Sequence, residues 1–182
     1  MTVKGFYLLV AFLLFQILSF SCEMETRSPH GITFRSAVLY NQYIVDRHKA
    51  LIEDIDIYNL AMEHDYAFAT KTLDSIFIHS TKSLLDIQEM APFKGDSSFR
   101  EVTTDFFKYY SGNFVDVNKR LIHLKAKMDS GLASHDEIRT LDEIAKKIDA
   151  HSESLQMRLE EIQKRFARKN NFTLSGRETN KQ

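Results

Sequence analysis

Apolar residues dominate the run from Phe6 to Phe20 and afterwards recur at intervals of three, four and seven, the period of helices with one buried face. The first such stripe, Ala37, Ile44, Leu51, Ile55, Tyr58 and Met62, predicts a long helix over residues 33–64 that starts at Thr33. Asp65 is placed to cap a second helix, whose apolar face is Ala69, Leu73, Ile76, Phe77, Leu84, Ile87 and Met90 and which stops at Pro92. The connection Ala91-Pro92-Phe93-Lys94-Gly95-Asp96 is a turn, because proline disfavours helical backbone at Ala91 and Gly95 tolerates a positive φ. Ser98 and Glu101 have the spacing of a capping box at the head of a third helix carrying Phe99, Val102, Phe106, Tyr110, Phe114, Val117, Leu121, Leu124 and Met128. Gly131 suits a left-handed cap at its end, with Leu132 to close it. Inside that helix Gly112, beside Asn113, marks a place for local irregularity, since glycine there costs about 1 kcal/mol relative to alanine. Ser134 and Glu137 make a second capping box, and Leu141, Ile144, Ile148, Leu155, Leu159, Ile162 and Phe166 form the fourth stripe, ended by Asn170 or Asn171.

Four stripes of similar length joined by short connections bury one another only side by side. The expected fold is therefore all-α, an antiparallel up-down-up-down four-helix bundle over residues 33–174, with rods about 40 to 50 Å long. Six glycines and two prolines in the whole chain suit that architecture, and no strand hairpin signal appears. Residues 22–32, with Glu23, Glu25, Arg27, Ser28 and Pro29, read as a polar tether, and residues 175–182 as a fraying tail. Phe172 and Leu174 are placed to fold back on the end of the bundle.

The apolar run from Phe6 to Phe20 has a different meaning. Lys4 gives it a positive start and Ser19 and Ser21 the small residues a signal peptidase requires, so residues 1–21 are expected to be an export signal. The run is short for a membrane span of about 20 residues. It ends at Cys22, the chain's one cysteine, which has no partner for an internal disulfide. Bacterial lipoprotein signals place a lipid-bearing cysteine directly after the cut, and Cys22 is expected to be that lipidation site, although Ser19 and Phe20 depart from the usual preceding residues. An ordinary secretory cut after Ser19-Phe20-Ser21 is the competing reading, with a free or intermolecularly bridged thiol. Removing the signal leaves about 160 residues, a size that suits one domain.

With 24 basic and 25 acidic residues in alternation, the chain lacks the basic footprint of a nucleic-acid-binding protein. Pro92-Phe93-Lys94-Gly95-Asp96, Phe99-Arg100, Phe107-Lys108-Tyr109-Tyr110 and the closing run from Phe166 through Asn170-Asn171-Phe172-Thr173-Leu174 resemble a family of bacterial surface lipoproteins with a helical-bundle domain and no established activity. The resemblance extends from about Ala37 to Leu174. It implies a helical lipoprotein facing the periplasm or the cell surface, and it supplies no catalytic residue. In such a protein the sequon Asn171-Phe172-Thr173 is accidental.

Chemical motifs are mostly missing from the sequence. None of the seven histidines follows a glutamate by three residues, as a di-iron bundle would require. One cysteine excludes Cys-x-x-Cys-His haem attachment. His-Glu-x-x-His, Gly-x-Ser-x-Gly and phosphate-cradling glycine loops do not occur. Glu53, Asp54 and Asp56 flank the first stripe as a solvated face, and Phe106, Tyr110, Phe114 and Phe166 sit at core spacing. One constellation remains. With the rods aligned end to end, His48, Ser80, Asn113 and Ser152 fall near mid-height, with His79 and His151 adjacent, as a polar layer that fixes the alignment of the helices. The expected role is a non-catalytic, cofactor-free envelope module with a lipid anchor in the membrane and an envelope protein as partner. The alternative is a small-ligand or metal-binding bundle using His48 with His79 or His151.

Overall fold

The computed structural model describes residues 26–28 and 31–174; the expected export signal, Cys22 and the tail from 175 onward lie outside them. Helix α1 spans Ala37–His64 and begins four residues beyond the expected start at Thr33, because Ser36 is extended and its Oγ accepts the N–H of Leu39 at 3.2 Å. Asp65 serves two helices. Its N–H donates to the carbonyl of Ala61, closing α1, and its carboxylate accepts from Phe68 N–H at 2.9 Å, opening α2, Tyr66–Gln88.

The third apolar stripe is split into α3, Ser98–Tyr110, and α4, Asn113–Asp129. At the break Gly112 leaves helical geometry, with φ −136° and ψ −94°. Both pieces pack against α2 on one side and against α5, His135–Lys169, on the other, so they act as one interrupted rod. The Ser98/Glu101 box does not form. Asp96 replaces it, accepting from Ser98 N–H at 3.0 Å and from Ser98 Oγ at 2.7 Å, while Ser97 donates to Glu101. The Ser134/Glu137 box forms with both reciprocal bonds. Gly131 has φ +71°, and the N–H groups of Gly131 and Leu132 donate to the carbonyls of Met128 and Lys127, a left-handed cap in which Leu132 takes part through its backbone alone, its side chain being 73% exposed. Asn171, with φ +54°, caps α5 the same way and turns Phe172 back onto Phe166, ring centroids 6.1 Å apart.

Among the described residues the helices form an all-α bundle in which α1, α2, the α3–α4 rod and α5 pack on one another. Paired side chains record their directions: Arg47 meets Asp86 and Asp54 meets His79 between α1 and α2, while Asn41 meets Gln163 and His48 meets Gln156 between α1 and α5. In each set the number falls on one helix as it rises on the other. The core is densest at the end where Tyr40, Phe93, Phe99 and Phe166 stack.

Within the segment expected to be a loose tether, Thr26–Ser28 (β1) pairs antiparallel with Gly31–Thr33 (β2). Ile32 N–H donates to Glu89 O and Ile32 O accepts from Ala91 N–H, both at 2.8 Å, and the Ile32 side chain is 1% exposed. The end of that segment is therefore docked on the bundle. Gly31 permits it, because a Cβ there would lie 2.4 Å from the Glu89 carbonyl oxygen.

Two measurements test this reading. Gly131→Val should destabilise by about 1 to 2 kcal/mol through the left-handed backbone alone, since nothing lies within 4 Å of the added Cβ; an unchanged melting temperature refutes the cap. The second concerns Asp96, whose carboxyl is held down at about 2 by hydrogen bonds from Lys169 and from the side chain and backbone of Ser98. A depressed acid stabilises above its unfolded pKa and loses that contribution as pH falls through the folded one. Asp96→Asn should cost about 1 kcal/mol at neutral pH, allowing for solvent screening, and its deficit in denaturant unfolding should shrink between about pH 4 and about pH 2.

Candidate functional site

His48 is the most enclosed of the three expected histidines. On α1 it faces α3 and α5, its ring lying 4.9 Å from that of Phe106. Nε2 is 2.9 Å from Gln156 Oε1, an acceptor only, so Nε2 carries the proton. Gln156 in turn donates to Glu160 at 3.0 Å. Burial holds His48 below the usual histidine range, against the opposing pull of Gln156 and Glu160, so the ring is neutral at pH 7. The space beside it, lined by Ile44, Phe99, Leu159 and Gln163, is about 30 Å³, room for about one water molecule.

The other expected members of the layer lie elsewhere. His79 is exposed on the outer seam of α1 and α2, with Nδ1 2.5 Å from Asp54 Oδ2. Ser80 is fully buried and donates to the carbonyl of Ile76 in its own helix at 2.5 Å. Asn113 is the exposed first residue of α4. His151 is exposed on α5 with its ring 4.4 Å from that of Tyr109. Ser152 faces the hydroxyls of Tyr109 and Tyr110 without a hydrogen bond of good geometry. The six residues therefore do not form one layer: Asn113 and His151 line the same α4–α5 cleft, while His48 meets neither His79 nor His151. Among the described residues no group of three His, Cys, Asp or Glu side chains is placed to hold a metal ion.

Polar residues that the heptad pattern does not single out carry the interior links. Asp86 receives Arg47 at 2.8 Å and Lys82 at 2.9 Å, and although burial pushes its carboxyl up, the hydrogen bonds and charges of Lys82 and Arg47 prevail and hold it down. Arg47 also lies flat on the Tyr43 ring, 3.3 Å from its centroid. Buried Asn118 accepts from Tyr58 at 2.8 Å and donates to Phe114 O at 2.8 Å. Their sequence signal is a polar residue inside an apolar stripe, which is the same signal that a solvent-facing residue at a stripe's edge produces.

Two larger spaces flank the first half of α5. A cleft of about 580 Å³ between α4 and α5 is lined by Tyr109, Asn113, Val117, Ile144, Ile148 and His151. Another, of about 260 Å³, opens between α1, α4 and α5 over Tyr58, Met62, Phe114, Leu121, Ile148 and Ser152. They exist because Leu141, Ile144 and Ile148 are only half-buried, so this part of the fourth stripe lies apart from α1. Comparison with protein-family models, curated proteins and solved structures gives no match.

His48 gives a pH test. A histidine whose folded pKa is depressed contributes stability above its unfolded pKa, lost as pH falls below it. Wild-type protein should lose stability to denaturant between about pH 7.5 and about pH 5, and His48→Leu should flatten that dependence while costing about 1 kcal/mol or less at the higher pH. An unaltered slope means that His48 is not the titrating group.

Proposed function

We propose that this chain is a non-catalytic lipoprotein of the bacterial cell envelope, anchored by lipid on Cys22, whose up-down-up-down bundle serves as a structural or protein-interaction module. The observation that carries the reading is the position of the chain's one cysteine, at the end of the Phe6-to-Phe20 apolar run and directly after Ser21. A diacylglycerol on its sulfur together with an acyl chain on its amino group would hold the protein durably, at about 0.8 kcal/mol per buried methylene, where a single chain is marginal. Among the described residues no helix is long and apolar enough to cross a membrane. The opposed directions of the Arg47–Asp86 and Asp54–His79 pairs and of the Asn41–Gln163 and His48–Gln156 pairs support the up-down arrangement.

The anchor also orients the bundle. Thr26, the first residue of β1, is four residues beyond Cys22, a reach of about 14 Å at full extension. The hairpin and everything packed around it, the α2–α3 loop and the end of α5, then face the membrane, and the Asp65 and Gly131 turns point away from it.

Cys22→Ala tests the anchor. The helical signal by circular dichroism should be unchanged, because no disulfide is lost, while the protein leaves the membrane fraction or accumulates as uncleaved precursor. Mass spectrometry of the wild-type amino terminus decides between the readings: an unmodified Cys22, or a mature chain beginning well after it, returns the protein to the class of secreted bundles without an anchor.

A further inference from the structure

The bonds between α1 and α5 follow a seven-residue step: Asn41 meets Gln163, and seven residues on, His48 meets Gln156, seven residues back on the opposed helix. The next step sets Ile55 against Asp149 and the one after it Met62 against Asp142. An apolar side chain offers a carboxylate no hydrogen bond. There the seam opens into the cleft of about 260 Å³ between α1, α4 and α5, lined by Ile55 and Met62 on one side and by Ala145 and Asp149 on the other. Its apolar surface is incompletely covered, since Ile55, Leu121 and Ile148 are each half-buried. The same edge of α5 continues to Ile138, one heptad before Ala145 and 41% exposed. From Ile138 to Ser152 the helix rises about 21 Å.

The rims of this seam are acidic. Between Lys49 and Lys71 the chain carries Glu53, Asp54, Asp56, Glu63 and Asp65 and no lysine or arginine. Asp56 and Glu63 stand three residues before and four after Asn59, which lines the cleft, and so on its side of α1. Across from them, Asp149 is exposed and makes no ion pair with another described residue. The neighbouring cations are already engaged or turned away: Lys125 is paired with Asp129, Arg139 with Asp136 and Lys146 with Asp142, and Lys147 lines the cleft on the other side of α5. Apolar positions and carboxylates that both repeat at seven residues fit a ligand of the same period, a helix with an apolar stripe flanked by lysine or arginine. A second copy of this chain would set like charges against like, and the volume falls below the range of about 300 to 1,000 Å³ for a small ligand.

We propose that the open half of the α1–α5 seam is the docking groove for a basic amphipathic helix of another envelope protein. The apolar stripe of that helix lies on Ile55, Leu121 and Ile148, and its cations meet Asp149 from one rim and Asp56 and Glu63 from the other. The proposal rests on the reading of the chain as an interaction module and gives the chemistry of its partner. In the anchored orientation the groove opens toward the Asp65 and Gly131 turns, the end that points away from the membrane.

The test uses the mature protein purified with its anchor and incorporated into phosphatidylcholine vesicles, whose neutral surface does not attract a basic peptide. The probe is a fluorescent synthetic helix of about 14 residues, the length of that 21 Å edge, with leucine at spacings of three and four and lysine elsewhere. Anisotropy should show saturable one-to-one binding that salt weakens. A peptide of the same composition in which leucine and lysine alternate should bind about tenfold more weakly. Asp149→Lys should weaken the helical peptide about tenfold. Glu143→Lys makes the same charge change at an exposed residue that lines neither cleft beside α5, and it should alter binding less than about twofold. Ala145→Phe, which sets a ring in the groove, should abolish binding. A wild type that does not bind, equal affinity for the alternating peptide, or equal loss from Asp149→Lys and Glu143→Lys overturns the proposal. Self-association of the wild type in sedimentation, removed by Ala145→Phe, gives the groove to a second copy and overturns it as well. Failure of the anchor reads out separately, as protein that does not float with the vesicles; the same titration on the protein in solution then judges the groove alone.

Discussion

Phe166 is the residue on which the bundle's organisation depends. Its ring lies 5.3 Å from Tyr40, 5.7 Å from Phe93, 5.3 Å from Phe99 and 6.1 Å from Phe172, so one side chain on α5 joins α1, the α2–α3 loop, the head of α3 and the chain's own return after the Asn171 cap. Truncating a buried phenylalanine typically costs about 3 to 5 kcal/mol, a large part of a domain's total stability of about 5 to 15 kcal/mol. The same knot places Met90 and Ala91, on which Ile32 docks through two backbone hydrogen bonds. The hairpin is thus a consequence of aromatic packing elsewhere, since two three-residue strands do not persist in water unaided.

Packing loosens away from that end. Along α5 the residues Leu155, Leu159, Ile162 and Phe166 are buried, while Leu141, Ile144 and Ile148 are only half-buried. The bonds between α1 and α5, Asn41 to Gln163 and His48 to Gln156, join the early part of α1 to the later part of α5. Beyond them, open space separates Tyr58 and Met62 from Ile148. Local opening costs least where buried apolar contacts are fewest, so the end near the Asp65 and Gly131 turns is the more adaptable one. In an anchored protein that end faces away from the bilayer, where a partner in the envelope would meet it.

Interior polarity is arranged to align helices in pairs rather than to build one site. Arg47 with Asp86 sets α1 against α2, Tyr58 with Asn118 sets α1 against α4, and His48 with Gln156 sets α1 against α5. Each is satisfied locally, and a sliding helix would strand a buried polar group. Alignment is the role expected of the polar layer, but it is carried by pairs spread along the bundle instead of by six residues at one height.

Much of the fold is legible in the sequence because it depends on neighbours along the chain. The four stripes, the Asp65 cap of the second helix, the Ser134/Glu137 box, the left-handed Gly131 and the Asn170–Asn171 stop require only local hydrogen bonds and backbone preference, and Cys22 after its apolar run is likewise a local pattern. What depends on distant contacts is decided by the tertiary structure. Ile32 becomes a strand residue because Glu89 and Ala91 offer it backbone partners; Ser36 takes over the start of α1 because Thr33 is then occupied in the hairpin; Asp96 displaces the Ser98 box because Lys169 arrives from α5. The histidines follow the same division. Heptad spacing puts His79 and His151 beside the buried stripes, but the rotation of each helix about its axis, set by how its whole face packs, turns them outward to Asp54 and Tyr109. A one-dimensional pattern specifies which face is apolar; only the packed helices specify what a residue at the edge of that face touches.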